Sequence, residues 1–220
     1  MALYEEVFQS KGAVFTIRNA GPQDAQAMLD YMGCVDRETT FLARGPGEFE
    51  RGFTLEKERA YLAGCQESPG ELFLLAVTPQ GVVAGSSHCS FRLDRARYRH
   101  RAELALSVRQ DYWRQGLGRR LMEIQENWCR SQGVEKLCLE VDTANLPAIG
   151  LYLRQDFTVE GTLRNQVKLP DGSYRDLYVM GKFLDEGTTR RSAWVQGGGF
   201  FYSSRSMLSK TDGNCSKEWI

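Results

Sequence analysis

Two glycines in the middle of the chain have the spacing of a phosphate-binding turn. Gly116 and Gly118 lie in the run RQGLGR at residues 114–119, between a strand-like and a helical segment. Glycines at such a junction let the backbone approach a ligand, and the free N–H groups and positive dipole end of a helix start favour an anion. Arginines at both ends of the run, and Arg120 after it, add positive charge. The same spacing also occurs in flexible turns, so only its context makes it a candidate pyrophosphate site.

Two glutamates, Glu103 and Glu140, are candidates for proton transfer. They lie in the segments AELALSV at 102–108 and KLCLEVD at 136–142, where apolar residues alternate with others. Successive strand residues point to opposite faces, so each glutamate lies opposite its strand's apolar face. Such a carboxylate can act as a base, directly or through water, or can simply be solvated or ion-paired. Cys138 shares the face of Glu140, but no histidine is near it in sequence to activate a thiol nucleophile.

The segments around these residues predict a strand, a helix and a second strand. Apolar residues at 117, 121, 124 and 128 recur at helical spacing until Gly133, which follows the helix as a stop. A helix between two strands implies that the strands are parallel neighbours. Asn145 can then cap a short helix that contains Pro147 near its start and ends near Gln155.

The remaining segments predict a mixed, mostly antiparallel sheet with helices on both faces, an α/β fold. The turns TPQG at 78–81 and PDGS at 170–173 indicate two hairpins. Strands are predicted at 13–18, 72–77, 82–91, 158–169 and 174–183, helices from 22 to a stop at Gly33 and from 54 to 62, and a loop over 35–53. We expect residues 1–13 to be an N-terminal extension, 14–184 one domain, and 185–220 a disordered tail.

Composition excludes several classes of function. The 220 residues are 42% hydrophobic, and 28 Lys and Arg balance 28 Asp and Glu, so no global field favours nucleic acid or an anionic membrane. No apolar run approaches the roughly 20 residues of a membrane helix, and no signal peptide is evident. We therefore expect a cytoplasmic location. Six cysteines without a C-x-x-C pair, and only two histidines, predict reduced thiols and no zinc site.

The order of these segments resembles the acetyl-CoA-dependent N-acetyltransferase superfamily known as GNAT, from about Val14 to Leu184. The run RQGLGR matches that family's Q/R-x-x-G-x-G/A loop, although Trp113 stands where Gln or Arg is usual. The residues NLPAIGLYLRQDF at 145–157 match a later motif, with Asp156 where glycine is usual. Two motifs at this spacing are more specific than either alone. The run RQGLGR followed by LEV looks like ribosomal-protein alanine acetyltransferases, whereas both ends of the domain look like small-molecule amine acetyltransferases.

The resemblance implies where acetyl-CoA binds. Backbone groups near the end of the first central strand would hold the pantetheine and polarise the thioester, where the parallel strands separate. Amides of the glycine loop would hold the pyrophosphate, and Asn145 would contact coenzyme A as well as cap its helix. The implied cofactor-binding residues are Leu106, Ser107, Val108, Arg114, Gln115, Gly116, Leu117, Gly118, Arg119 and Asn145. A basic run with arginines at 92, 95, 97, 99 and 101 is either a solvated face or a contact for phosphates or an acidic substrate.

The resemblance also implies three catalytic residues. Tyr152 matches the family's tyrosine, and a phenol with a pKa of about 10 is suited to protonate a thiolate. Glu140 matches the base of the ribosomal-protein alanine acetyltransferases, while Glu103 lies where other members place an acid. Only one of the two need be the base. No metal is implied.

The expected activity is therefore acetyl transfer from acetyl-CoA to a primary amine. A small-molecule or amino-acid-like amine is our first expectation for the acceptor, and a protein α-amine is the second. A third alternative is a non-catalytic acyl-CoA-binding module that would keep the glycine loop and lack proton-transfer residues. The sequence leaves the oligomeric state open, a homodimer included.

Overall fold

An eight-stranded sheet organises the part of the chain that the computed structural model describes, residues 4–42, 44, 48 and 52–184. The strand order is β1-β2-β3-β4-β5-β6-β8-β7, and all neighbours are antiparallel except β5 and β6. The strands are β1 Glu5–Ser10, β2 Ala13–Asn19, β3 Glu71–Val77, β4 Val83–Phe91, β5 Arg101–Val108, β6 Lys136–Asp142, β7 Thr158–Lys168 and β8 Tyr174–Phe183. The predicted α/β fold class, mixed sheet and single parallel crossover are confirmed.

Helices cover both faces of this sheet. They are α1 Ala25–Glu38, α2 Leu55–Glu67, α3 Leu117–Ser131 and α4 Leu146–Leu153, with 3-10 turns at Pro22–Asp24 and Gln110–Tyr112. Side chains of α1 and α2 pack with Phe73 and Leu75 on one face of the sheet. Side chains of α3 pack with Leu72 and Leu74 on the opposite face, since neighbouring strand residues alternate. None of the helices in the described ranges is long and apolar enough to cross a bilayer.

Local capping explains why two of the helices begin where the sequence predicts. The hydroxyl of Thr54 accepts a hydrogen bond from the Lys57 amide at 3.3 Å, and the carbonyl oxygen of the Asn145 side chain accepts one from the Ala148 amide at 3.3 Å. Each bond satisfies an amide that the first helical turn would otherwise leave unpaired. At the other end of α3, Gly133 has a φ of +73°, as expected for a glycine that terminates a helix.

Helix α1 continues past Gly33, so the predicted stop there is wrong, and the start of the predicted loop over 35–53 is helical. The side chains of Tyr31, Met32 and Val35 are 3%, 4% and 3% exposed. Their burial outweighs the roughly 1 kcal/mol that an interior glycine costs a helix. Helix α2 likewise extends past the predicted end at 62, since Cys65 is buried one turn later.

The first residues of the chain add a strand that the sequence analysis did not predict. Strand β1, which lies within the segment expected to be an extension, pairs along its length with β2. Its Glu6 carboxylate contacts the guanidinium of Arg120 on α3 at 2.6 Å and 2.7 Å. The segment 185–220, expected to be a tail, lies outside the described residues.

Glu58 is a buried carboxyl group on the face of α2 that also carries the buried Leu62 and Cys65. Its side chain is 0% exposed, and neither carboxyl oxygen has a hydrogen-bond partner in the described part of the chain. Burial raises the pKa of Glu58 to about 7, against the opposing charge of Arg44. The folded state therefore binds this proton more tightly than the unfolded chain does. The stabilisation that this tighter proton binding gives the folded state is fully present below about pH 4.5 and is lost as the pH rises through about 7.

Replacing this group by its neutral analogue should remove that loss. At each pH we compare the free energy of unfolding of Glu58→Gln with that of the wild type. We expect this difference to favour the variant by about 2 to 3 kcal/mol more at pH 8 than at pH 4.5. Urea unfolding at the two pH values measures the difference. Glu67→Gln, on an exposed residue of the same helix, is the control and should show no such dependence. A Glu58→Gln difference that is the same at both pH values would contradict the assignment.

Candidate active site

The parallel strands β5 and β6 separate after three residues. Arg101, Ala102 and Glu103 pair with residues 136–138, and beyond this point no residue of β5 pairs with β6. Strand β5 continues to Val108 along β4, while β6 follows β8 to Asp142. The edge of β5 from 104 to 108 therefore faces an opening in the sheet. Backbone groups along such an edge can bind an extended ligand in place of a strand.

The glycine loop presents free amides beside this opening. Gly116 has a φ of +77° and is the N-terminal cap of α3, and its carbonyl accepts the first bond of the helix from the Arg120 amide at 3.0 Å. The amides of Leu117, Gly118 and Arg119 have no backbone acceptor among the described residues. Three aligned donors at the positive end of a 15-residue helix suit a pyrophosphate.

The three arginines of the loop differ in how they are held. Arg120 is bound by Glu6 on β1 and by Glu123 on its own helix, the latter at 3.1 Å. Arg119 bonds Glu123 at 2.8 Å. Arg114 is exposed and makes no hydrogen bond or ion pair within the described residues. Arg114 is therefore the loop arginine whose charge is available to a phosphate, and Arg120 mainly joins α3 to β1.

Trp113, which replaces the usual Gln or Arg, ties the loop to the end of β5. Its indole N–H donates to the carbonyl of Val108 at 2.6 Å. The Val108 carbonyl is thereby already engaged. A ligand that lies along this edge of β5 would depend on other backbone groups, including those of Leu106 and Ser107.

Helix α4 meets the glycine loop at the same opening. A methyl group placed on Gly118 would lie 3.2 Å from the side chain of Leu151 and 3.6 Å from that of Leu106. The start of α3, helix α4 and the end of β5 therefore converge around Gly118. Tyr152 follows Leu151 and is 7% exposed, with its ring tilted against Phe157 at a centroid distance of 5.9 Å.

Burial keeps the phenol of Tyr152 in its protonated form. Its hydroxyl makes no hydrogen bond to any group in the described ranges, and burial raises its pKa to about 12. At neutral pH the group is therefore protonated. By contrast, burial raises the pKa of the Cys138 thiol, which disfavours the thiolate that a nucleophile requires.

The two candidate bases lie on the exposed side of their strands, as predicted. Glu103 bonds the guanidinium of Arg101 at 3.0 Å, with both side chains largely exposed. Glu140 is exposed and has no hydrogen bond or ion pair within the described part of the structure. Register places Glu103 opposite Cys138, two residues before Glu140. Of the two, Glu140 is the carboxylate that no neighbouring cation occupies.

Two groups of contacts near the opening were missed by the sequence analysis. In the first, the Tyr31 hydroxyl of α1 lies 2.8 Å from the Ser107 hydroxyl, which lies 3.1 Å from that of Ser86. Burial raises the pKa of Tyr31 to about 12. These hydroxyls connect α1 to the candidate acetyl-CoA strand. Tyr31 and Ser107 are 76 residues apart, and no local pattern signals such a contact.

The second group bridges the two sides of the opening. Arg175 of β8 donates to the Thr40 hydroxyl at 3.2 Å and to the carboxylate of Asp142, at the end of β6, at 3.2 Å. Its guanidinium also lies 5.2 Å from the centre of the Phe41 ring. The residues after α1 are thereby held to the ends of β6 and β8.

The basic run lies away from the glycine loop. Its residues connect β4 to the start of β5, whereas the loop follows the end of β5. The seven residue steps from Arg101 to Val108 correspond to about 23 Å of extended strand. Arg92 of this run forms an exposed pair with Asp94 at 2.9 Å. The run is thus a solvated surface at the opposite end of the strand from the candidate phosphate site.

Comparison with known proteins adds independent information. Residues 39–157 match the sequence profile of the acetyltransferase (GNAT) family. The [Ribosomal protein bS18]-alanine N-acetyltransferase of Escherichia coli K12 is 35% identical over 104 residues, which are 47% of this chain and 67% of that protein. A GNAT-family acetyltransferase from Streptococcus pneumoniae superposes with a TM-score of 0.71 at 30% identity, over 77% of this chain and 99% of that one. A putative acetyltransferase from Salmonella typhimurium, solved with acetyl-CoA, has a TM-score of 0.65 at 23% identity, over 81% and 98% of the two chains.

Proposed function

This chain belongs to the GNAT family of acetyl-CoA-dependent N-acetyltransferases, and we propose that its acceptor is the primary amine of a small molecule or an amino-acid-like compound. The observation that carries the proposal is that the open β5 edge and three free loop amides meet beside the buried cluster that contains Tyr152. A thioester bound there would supply an activated acetyl group. No metal is required for that transfer.

The residues of the opening fit acetyl-CoA in two ways. The free amides at 117–119 and the unpaired Arg114 match the two negative charges of a pyrophosphate. The unpaired edge of β5 beyond Glu103 matches the amide groups of a pantetheine arm, which can bind as a strand does. A backbone N–H near Leu106 and Ser107 would then polarise the thioester carbonyl as negative charge develops on its oxygen.

Tyr152 would act as the general acid. Departure of coenzyme A leaves a thiolate that needs a proton, and the phenol is protonated throughout the physiological pH range. This role is supported by the packing of Tyr152 in one buried cluster with Leu104 of β5 and Val141 of β6, against which Leu106 also packs. The oxygen of the phenol then takes the negative charge until solvent returns the proton.

Glu140 would act as the base that keeps the attacking amine neutral. Its carboxylate has no competing cation in the described structure, whereas Glu103 is paired with Arg101. Its exposure allows a water molecule to carry the proton from the amine. We assign Glu140 this role and Glu103 the role of an exposed ion-pair partner.

This assignment predicts different effects of two matched substitutions. Glu140→Gln should lower kcat/KM by about 100-fold at neutral pH, because a general base typically contributes 100-fold or more. Glu103→Gln should change kcat/KM less than about threefold, because it removes only a surface ion pair. Steady-state assays of coenzyme A release measure both. A larger loss in Glu103→Gln would assign the base to Glu103 instead.

The bridge made by Arg175 favours a small acceptor. It joins Thr40 and Phe41, which follow α1, to Asp142 at the end of β6. We expect a link between these segments to hinder an extended polypeptide more than a free amine. The second candidate, a protein α-amine, is supported by the 35% identity to the Escherichia coli enzyme that acts on a ribosomal-protein alanine.

A direct competition between acceptors separates these two candidates. The full chain is incubated with acetyl-CoA and equal concentrations of amino acids and small amines on one side, and a peptide with an N-terminal alanine on the other. The proposal expects acetylation of a small amine with a kcat/KM above that of the peptide. Preferential acetylation of the peptide α-amine would replace the first candidate by the second.

A further inference from the structure

Three side chains with metal-binding chemistry meet outside the acetyl-CoA opening. They are Cys65 on α2, Glu71 at the start of β3 and His88 in β4. Their sulfur, carboxylate oxygen and imidazole nitrogen atoms all lie within 4.8 Å of one another, and the Nε2 atom of His88 is 3.1 Å from Oε2 of Glu71. We refer to these three residues as the Cys-Glu-His cluster.

The fold assembles the cluster from separate elements. Strand register pairs Phe73 with His88, which places Glu71 and His88 on the same face of the sheet. Helix α2 covers that face and ends at Glu67, and its last turns carry Cys65. The residues are separated by 6 and 17 positions in sequence. They therefore lack the short spacing between ligands by which zinc sites are identified in a sequence.

We propose that the Cys-Glu-His cluster binds a divalent transition-metal ion with the preferences of Zn²⁺, with water in the fourth position. Thiolate, imidazole and carboxylate are the three protein ligands that zinc uses. Ligand atoms around a tetrahedral zinc ion are about 3.5 Å apart, given bond lengths of about 2.0 to 2.3 Å. Ligand atoms within 4.8 Å of one another can reach this arrangement by small side-chain rotations.

The charges around the cluster favour a cation. The groups with the largest effects on the pKa values of Cys65 and Glu71 are Glu58, Tyr61, Ser68 and His88 and the two residues themselves, and none of these is a lysine or arginine. A partly buried arrangement of acid, thiol and imidazole without a permanent positive charge is one that a divalent ion would complete.

Binding replaces the protons now held on the ligand atoms of Cys65 and His88 by bonds to the metal. The Cys65 S–H bond breaks, its proton passes to solvent, and a bond from sulfur to metal forms. The proton that His88 Nε2 now shares with the Glu71 carboxylate passes to Nδ1 or, if the ring is charged, to solvent, so that Nε2 binds the metal through its lone pair and Glu71 binds as the carboxylate. No oxidation state changes. The accessible fractions of the His88 and Glu71 side chains, 12% and 26%, leave a route for the ion and its water.

The bound ion would fasten α2 to the sheet. His88 pairs with Ala105 in β5, two residues before Ser107, so the cluster lies on the same face as the hydroxyls of Tyr31 and Ser107. An ion there would stabilise the layer formed by α1 and α2 without contacting the opening between β5 and β6. Because metal binds the folded state, it should raise the midpoint of thermal unfolding with the logarithm of its concentration over Kd.

The test is a titration of the metal-free full chain with Co²⁺, followed by displacement with Zn²⁺. We expect one equivalent of Co²⁺ to produce the visible bands of a tetrahedral site and a thiolate-to-metal charge-transfer band. Zn²⁺ should remove both and raise the unfolding midpoint, while excess Mg²⁺ should not compete. Absence of the charge-transfer band in the wild-type chain would overturn the proposal.

Variants localise the site. Cys65→Ser should abolish the charge-transfer band, and His88→Gln should weaken Zn²⁺ binding more than about 100-fold, since even supporting residues contribute 10-fold to 100-fold. The controls Cys34→Ser and His100→Gln change the same residue types outside the cluster and should bind as the wild type does. Circular dichroism verifies that each variant is folded. Unchanged binding in folded Cys65→Ser or His88→Gln would overturn the assignment.

Discussion

Replacing Tyr152 with phenylalanine is expected to lower kcat by about 100-fold or more, because a positioned general acid typically contributes a factor of 100 to 10,000. The substitution removes only a hydroxyl that makes no hydrogen bond within the described residues. The ring remains packed against Phe157, so the fold and the affinity for acetyl-CoA should change little. Steady-state kinetics gives kcat, and calorimetry gives the Kd of acetyl-CoA.

A matched variant separates this effect from a general effect of losing a phenol. Tyr98→Phe removes an exposed hydroxyl in the connection before β5, at the opposite end of that strand from the glycine loop. It should leave both kcat and Kd unchanged. If Tyr152→Phe retained the wild-type kcat with an acceptor that the enzyme turns over, the proton would come from another group or from water.

The second large effect concerns the glycine loop. Gly118→Trp is expected to weaken acetyl-CoA binding by at least about 100-fold, equivalent to about 3 kcal/mol. Even a methyl group at this position would approach the Leu151 side chain to 3.2 Å, so an indole must displace α4 or fill the opening beside β5. Either outcome disturbs the place where the loop amides and the β5 edge meet. Calorimetric titration of acetyl-CoA measures the loss.

The control for this variant is the same substitution at a helical glycine with space around it. A side chain at Gly64 on α2 would meet no atom within 4 Å, and the residue is exposed. Gly64→Trp should therefore bind acetyl-CoA as the wild type does. Thermal unfolding of both variants shows whether Gly118→Trp is folded. Tight binding by folded Gly118→Trp would mean that acetyl-CoA does not bind beside this loop.

Those parts of the structure that depend on residues close together in the sequence were predictable from it. The alternation in AELALSV and KLCLEVD correctly predicts β5 and β6, and Asn145 caps α4 as its residue type suggests. Asp156, which stands where the family usually has glycine, has a φ of +62°. That conformation explains why glycine is usual there.

Contacts between distant segments were not predictable in this way. The stop predicted at Gly33 fails because burial of Val35 on the sheet continues the helix, and a local signal contains no information about that burial. The pair of Glu6 with Arg120 spans 114 residues, and that of Arg175 with Thr40 spans 135. Pairing of this kind depends on the register of the whole sheet, so a single sequence does not reveal which partners meet.

We expect acetyl-CoA to bind between β5 and β6 and its acetyl group to pass directly to an amine. Calorimetric titration of the full chain with acetyl-CoA, followed by addition of the panel of amines, measures binding, free thiol and the acetylated product in the same sample. The expected result is saturable binding and release of one thiol for each acetylated amine. Absence of acetyl-CoA binding, or binding without thiol release on any amine of the panel, would show that the chain does not transfer acetyl groups in this way.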